Sequence, residues 1–393
     1  MHRVPYWRLS AYYFIYFAFF GVFGPYFGLY LQTLSLSAWD IGLLMSQMQL
    51  MRVFGPFLSG WLAERMVKRI QVIRLASFLA LVTFLSFFFL SGFVALLFAI
   101  AILSFFWTAV LPLLEALTFD HLREDSASYS RIRLWGSIGF IAAVMGTGVL
   151  LDRQPLSSLL GACVVTLLGL LLCAWLVPES PPNRQGSALA PIGEFLRPTR
   201  VKALFCACFA MSMAHGAYYI FYSIYLADHG YSKSLVGGLW SLGVVAEIAV
   251  LFFMARVMRR FSLRMILLTS FAAAGARFSL IGVGVDYPLA LVAAQLLHGL
   301  TFGSFHAAAI TAVNRWFPGG MRVRAQALYA SLTFGAGGLI GGLLGGWAWG
   351  ALGGEITFVL SSVYALAGWV FIFGGVREEG VSVVEQADSR EQP

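Results

Sequence analysis

Apolar windows long enough to cross a bilayer, roughly 20 residues each, recur along almost the whole of this 393-residue chain. That feature leaves little choice of fold. In hydrocarbon every backbone N–H and C=O must be paired within the chain, so spanning segments of this length are helices. With 60% hydrophobic and 11% charged residues, the chain is far from a soluble globular composition, in which about 25% are charged. No room remains for a separate soluble domain. The windows predict an all-α membrane protein with twelve spans, near 9–31, 40–63, 71–90, 94–118, 130–151, 157–177, 202–226, 234–257, 264–284, 288–312, 324–346 and 354–375.

Basic residues orient these spans. Arg3 and Arg8 precede the first, and Arg65, Lys68, Arg69 and Arg74 follow the second. Arg256, Arg259, Arg260 and Arg264 follow the eighth, and Arg315, Arg322 and Arg324 the tenth, whereas the opposite loops hold only Arg153 and Lys233. Both termini are expected in the cytoplasm. The net charge of +8 therefore belongs to loops on one side and does not call for a nucleic-acid partner. The first apolar run is too long and too continuous with the rest of the chain to be a cleaved signal. Residues 178–201, with PESPPNRQGS, read as a linker between an N-terminal half, 1–177, and a C-terminal half, 202–376; the polar tail 377–393 reads as disordered. The cysteines (Cys163, Cys173, Cys206, Cys208) show no metal or disulfide spacing and read as packing residues.

The two halves repeat. A shift that carries Gly42 onto Gly237 also carries Gly21 onto Gly216, Ser46 onto Ser241, Arg65 onto Arg260 and Arg69 onto Arg264, without a gap. It carries Arg52 onto Glu247. Opposite charges at one equivalent intramembrane position suggest a duplicated protein with its site between the halves, Arg52 and Glu247 facing one cavity. Glycines at 337, 341 and 345, and at 338, 342 and 346, form two rows that suit close helix packing.

Ionisable residues at membrane depth need partners or a wet cavity. They are Arg52, Glu115, Arg133, His215, Glu247, Arg277, His298 and His306. Any one could be structural, but buried ion pairs are poor stabilisers, so the set as a whole points to a site. His298 and His306 lie about 12 Å apart in rise and roughly 80° in rotation on an ideal helix, which suits one wall at two depths but not a metal. The tyrosines of the first span (Tyr12, Tyr13, Tyr16, Tyr26) read mostly as belts and lipid contacts. The run His215 to Tyr225, with Tyr218 and Tyr219, could instead build an aromatic cavity wall. The chain lacks a Gly-Lys dipeptide, hence a P-loop, and a His-Glu dipeptide, hence HExxH. An intramembrane enzyme would need a nucleophile or metal cluster that is not evident, and a purely structural role fits poorly with the buried charges. No cofactor or metal is expected.

The six-plus-six plan resembles the major facilitator superfamily. That family's loop signature is matched loosely from Gly60 to Arg69, with Glu64 for its aspartate and Val67 for a glycine. A closer resemblance, over nearly the whole chain, is to the bacterial 3-phenylpropionate permeases, strongest in Tyr129–Phe140, His215–Tyr225 and Gly230–Ile248. Arg52, Arg133, His215, Glu247, Arg277, His298 and His306 look like matches to that family's polar positions, with Glu115 where an aspartate is expected. The chain is similar, more distantly, to the lactose permease group, in which the position of Thr301 would hold the carboxylate that handles the coupling proton. The resemblance implies a monomeric, proton-coupled inner-membrane transporter working by alternating access, not an enzyme. Its expected substrate is a small aromatic carboxylate such as 3-phenylpropionate, bound by Arg52, Glu115, Arg133, His215, Tyr219, Arg277 and His306. Glu247, with Glu115 and His298 behind it, is the expected proton carrier. A sugar or nucleoside symporter is the alternative, because Glu115 with Arg133 also suits a polyol.

Overall fold

The computed structural model describes residues 4–65, 68–122, 127–180, 193–318 and 321–377. The side chains of the loop signature up to Val67, most of the linker and the tail beyond 377 lie outside that description. Six helices precede the linker: α1 (Tyr6–Thr33), α2 (Ala38–Arg65), α3 (Arg69–Leu85), α4 (Phe93–Leu122), α5 (Ala127–Arg153) and α6 (Ser158–Leu176). Six follow it: α7 (Thr199–Asp228), α8 (Lys233–Arg260), α9 (Leu263–Val283), α10 (Pro288–Trp316), α11 (Arg322–Ala330, Ser331–Gly337 and Gly338–Leu352 in succession) and α12 (Gly354–Gly375). Eleven of the described helices are long and apolar enough to cross a membrane; α2, interrupted by Arg52 and polar glutamines, is the other. The described residues contain no strand. The protein is an all-α, twelve-helix membrane protein.

Local chemistry sets the boundaries. Ser232 and Ser262 cap α8 and α9 by accepting from the backbone N–H groups of Leu235 and Met265. Pro288 opens α10, where its missing N–H has no intrahelical partner to lose. Gly353, at φ 83°, turns the chain between α11 and α12. Helices α1 and α7, which the repeat equates, are the most enclosed, each with 72% of its apolar window buried. Tyr12, Tyr13, Tyr16 and Tyr26 are therefore interior, not lipid-facing as the sequence suggested; Tyr12 shares a hydrogen bond with Ser77 and Tyr16 donates to the Trp107 carbonyl. Cys206 is exposed rather than packed.

The halves seal together at one end. Of the two glycine rows on α11, one faces α7 and the other the opposite half. A Cβ at Gly341 would stand 2.5 Å from the Met213 carbonyl. Gly342 and Gly346 lie against Ser46 and Gly42 of α2. Beside them the Asp152 carboxylate, at the end of α5, accepts from the backbone N–H of Lys233 at 2.7 Å and of Ser234 at 3.0 Å. Tyr26 donates to the carbonyls of both Val144 and Lys233, at 2.9 and 3.0 Å.

Candidate functional site

The first half contributes a carboxylate, two arginines and a set of rings. Tyr129 donates to Glu115 Oε1 at 3.2 Å. The Arg133 guanidinium lies 4.0 Å from the centre of the Phe17 ring and 6.0 Å from that of Tyr13. Gly136 makes this stack possible, since a Cβ there would be 2.6 Å from Phe17 Cδ2 and 2.8 Å from Arg133 Nη1. Arg133 also acts electrostatically on both carboxylates of the site, Glu115 and Glu247. On α2, Arg52 is influenced by Tyr16 of its own half and Tyr219 of the other.

The second half is drier. Arg277 on α9 is 0% exposed. Its Nε donates to the Ala294 carbonyl at 3.1 Å, and its Nη1 lies 3.2 Å from His215 Nε2. A guanidinium can only donate, so His215 accepts at Nε2 and carries its proton on Nδ1, which donates to the Met211 carbonyl at 2.9 Å. The guanidinium also lies 4.1 Å from the Tyr218 ring centre, and Tyr218 donates to Gln295 Oε1 at 3.0 Å. Tyr218 packs 4.7 Å from Trp240, and Tyr219 stacks on His215 at 5.8 Å and on Trp240 at 6.3 Å. The rings of the His215–Tyr225 run therefore form an aromatic cluster in the interior of the second half. Trp240 is an addition from α8 that the reading of α7 could not supply, and Tyr225 turns away to donate to the Gly282 carbonyl at 2.7 Å.

Helices α10 and α11 each contain a π-helical stretch, Gly299–Ser304 and Ser331–Gly337. These wider turns recur at functional sites. In α10 the stretch removes the rotational offset expected between the two histidines: His298 stacks on Phe302 at 5.7 Å, Phe302 on His306 at 6.1 Å, and His306 Nδ1 meets Tyr329 Oη at 3.0 Å. The same stretch packs against α8 at Glu247, whose Cγ would be 3.4 Å from a Cβ at Gly303. The π stretch of α11 lies against Val53 and Gln49 of α2, on either side of Arg52 in sequence. Each charge of the repeated pair is thus backed by a π stretch of the second half.

Arg52 and Glu247 form no ion pair among the described residues; the pair found there is Arg69 with Asp120, between α3 and α4. Thr301 is fully buried, its hydroxyl donating to the His298 carbonyl at 3.3 Å.

Twelve helices in two six-helix halves, sealed at one end around charged and aromatic side chains, define a secondary transporter of the major facilitator type, not an enzyme. The chain belongs to the MFS_1 like family, whose profile matches residues 6–360. It is 32% identical over 362 residues to the "Probable 3-phenylpropionic acid transporter" of Escherichia coli (strain K12), covering 90% of this chain and 94% of that one. It is 24% identical over 340 residues to the nucleoside permease NupG of the same organism, covering 80% of each. The crystal structure of nucleoside transporter NupG superposes with a TM-score of 0.84 at 18% identity, over 95% of this chain and 99% of that one; that likeness concerns the fold.

Proposed function

We propose that this chain is a proton-coupled symporter of the bacterial inner membrane, both termini cytoplasmic, that imports a nucleoside-like solute: an aromatic ring bearing hydroxyl groups and no net charge. The observation that carries this reading is the withdrawal of Arg277. It is fully buried, its Nε and Nη1 are held by Ala294 and His215 and its face is covered by Tyr218, which leaves Nη2 as its one unpaired nitrogen. The groups left to meet a solute are Arg52 and Arg133 against Glu115 and Glu247, a balanced set. A neutral solute enters such a site without leaving an uncompensated charge behind. Its ring suits Tyr219, the less buried ring of the cluster, with Trp240 behind it, and its hydroxyls suit Glu115, Tyr129 and Arg133. The similarity to nucleoside permeases supports the same reading.

The halves, 1–177 and 202–376, rock about this site while the 178–201 linker joins them. The sealed end carries Asp152 and Lys233, so with the basic loops in the cytoplasm this conformation opens inward. Glu247 is the proton carrier in this scheme. A bound solute excludes water from the site and so disfavours the charged form of Glu247, which then takes a proton; release rehydrates the site and returns the proton to the cytoplasm.

A second reading, an aromatic carboxylate as substrate, is favoured by the similarity to the 3-phenylpropionic acid transporter and by Arg52, which has no ion-pair partner among the described residues. Uptake of labelled adenosine and of labelled 3-phenylpropionate into cells, with and without an uncoupler, separates the two. Uncoupler-sensitive adenosine uptake is expected. Uncoupler-sensitive phenylpropionate uptake with none of adenosine overturns the nucleoside reading, and uptake of neither removes both.

A further inference from the structure

A groove of about 340 Å³ indents the outer flank of the first half, walled by Trp7, Ser10, Ala11 and Ile15 of α1, Trp135 of α5 and Cys173 of α6. It faces lipid, for Leu134 and Ile138 of α5 and Val165, Leu168 and Leu172 of α6 are all exposed around it. From Trp7 to Ile15 a helix rises about 12 Å, so the groove runs from the helix ends into the depth occupied by acyl chains.

Two observations set it apart from ordinary lipid-facing surface. Ser10 lines the groove at only 2% exposure, and its hydroxyl has no hydrogen-bond partner. A buried hydroxyl left unpaired is costly, which points to a polar atom supplied from outside the protein. The mouth is also basic. Arg8 reaches across from α1 to donate to the Leu176 carbonyl at 3.3 Å, just beyond Cys173 on α6, and most of its fork remains available. The exposed Arg131 lies one turn before Trp135 on the same face of α5. Trp7 and Trp135 meet edge-on at 5.8 Å, and Trp135 Nε1 donates to Tyr6 Oη at 3.2 Å. Tryptophan and arginine together at a helix end mark headgroup depth.

We propose that this groove holds one anionic diacyl phospholipid. One acyl chain lies along Ala11 and Ile15, an ester oxygen accepts from Ser10, and the phosphate rests between Arg8 and Arg131. A lipid of neutral headgroup would fill the groove and satisfy Ser10 but gain nothing from the arginines, so the site is selective for net negative charge. The proposal does not depend on the transported solute.

The test titrates the delipidated, full-length protein with phosphatidylglycerol or phosphatidylcholine of identical chains and counts retained lipids by native mass spectrometry. One tightly held phosphatidylglycerol is expected, with a preference of about fivefold per arginine, from roughly 1 kcal/mol for each basic residue at the membrane surface. Replacing Arg8 and Arg131 by glutamine should erase the preference. Ala11→Trp, which fills the groove, should lose the retained lipid at an unchanged melting temperature. Equal retention of the two lipids by the unaltered protein overturns the proposal, as does full retention by a folded Ala11→Trp. The headgroup comparison needs no variant, so it decides even where a substitution fails to fold.

Discussion

The Asp152 clasp across the sealed end lends itself to a quantitative test. The carboxylate of one half accepts from the first two N–H groups of α8 in the other, at 2.7 and 3.0 Å. Both donors point out of a helix N-terminus, where a negative charge is favoured by the helix dipole. Hydrogen bonds to a charged group contribute about 1.5–3 kcal/mol each when shielded from water. Asp152 is exposed, and water competes for both bonds, so the smaller range for losing a helix cap applies, about 1 kcal/mol. Asp152→Ala removes a contact made only while this end is shut. The equilibrium should therefore move toward opening at this end by about fivefold, given that 1.4 kcal/mol is tenfold. Ser46 reports on it, because it is buried against Gly342 in the sealed state. In a background without the native cysteines, Ser46→Cys should react with a membrane-impermeant thiol reagent about five times faster once Asp152 is alanine. Asp152→Asn, which keeps one acceptor oxygen, should fall between. An unchanged or slower rate in Asp152→Ala would refute the reasoning, and would assign the seal to the Gly42, Gly342 and Gly346 packing alone.

Other expected outcomes are as direct. Glu247→Gln should still exchange solute across the membrane but fail to accumulate it against a gradient; normal pH-driven accumulation in vesicles would transfer the proton to Glu115, to be tested by the same substitution there. Arg133→Lys should weaken solute binding about tenfold or more, because the planar group over Phe17 and its fork are both lost, and equilibrium binding to purified protein checks this. Gly299→Leu should lower the melting temperature in detergent, since even a Cβ there would be 2.6 Å from the Ala246 carbonyl and overpacking costs about 1–3 kcal/mol. Trp240→Ala should raise the KM for an aromatic solute more than it lowers the maximal rate, if the wall binds the ring equally in all states.

The sequence alone carried the twelve spans, the repeat that makes α1 and α7 equivalent, the α11 glycine rows as packing surfaces, and the list of ionisable residues at membrane depth. All of these come from the demands a bilayer makes on each segment in turn: apolar length, internal hydrogen bonding and a reason for every charge. Tertiary structure decided who partners whom. Arg52 and Glu247 are equivalent in the repeat, yet they form no ion pair among the described residues, and each is backed by a π stretch of the second half that the repeat does not reveal. Arg277 read as one more free cation until α7 placed His215 and Tyr218 around it. The interior placement of the α1 tyrosines and the His298–Phe302–His306 stack were equally out of reach, since Tyr suits interface and core alike and the π stretch in α10 has no strong sequence signal. Apolarity is a property of each segment, whereas partner choice depends on which helix faces are pressed together, and only the packed halves determine that.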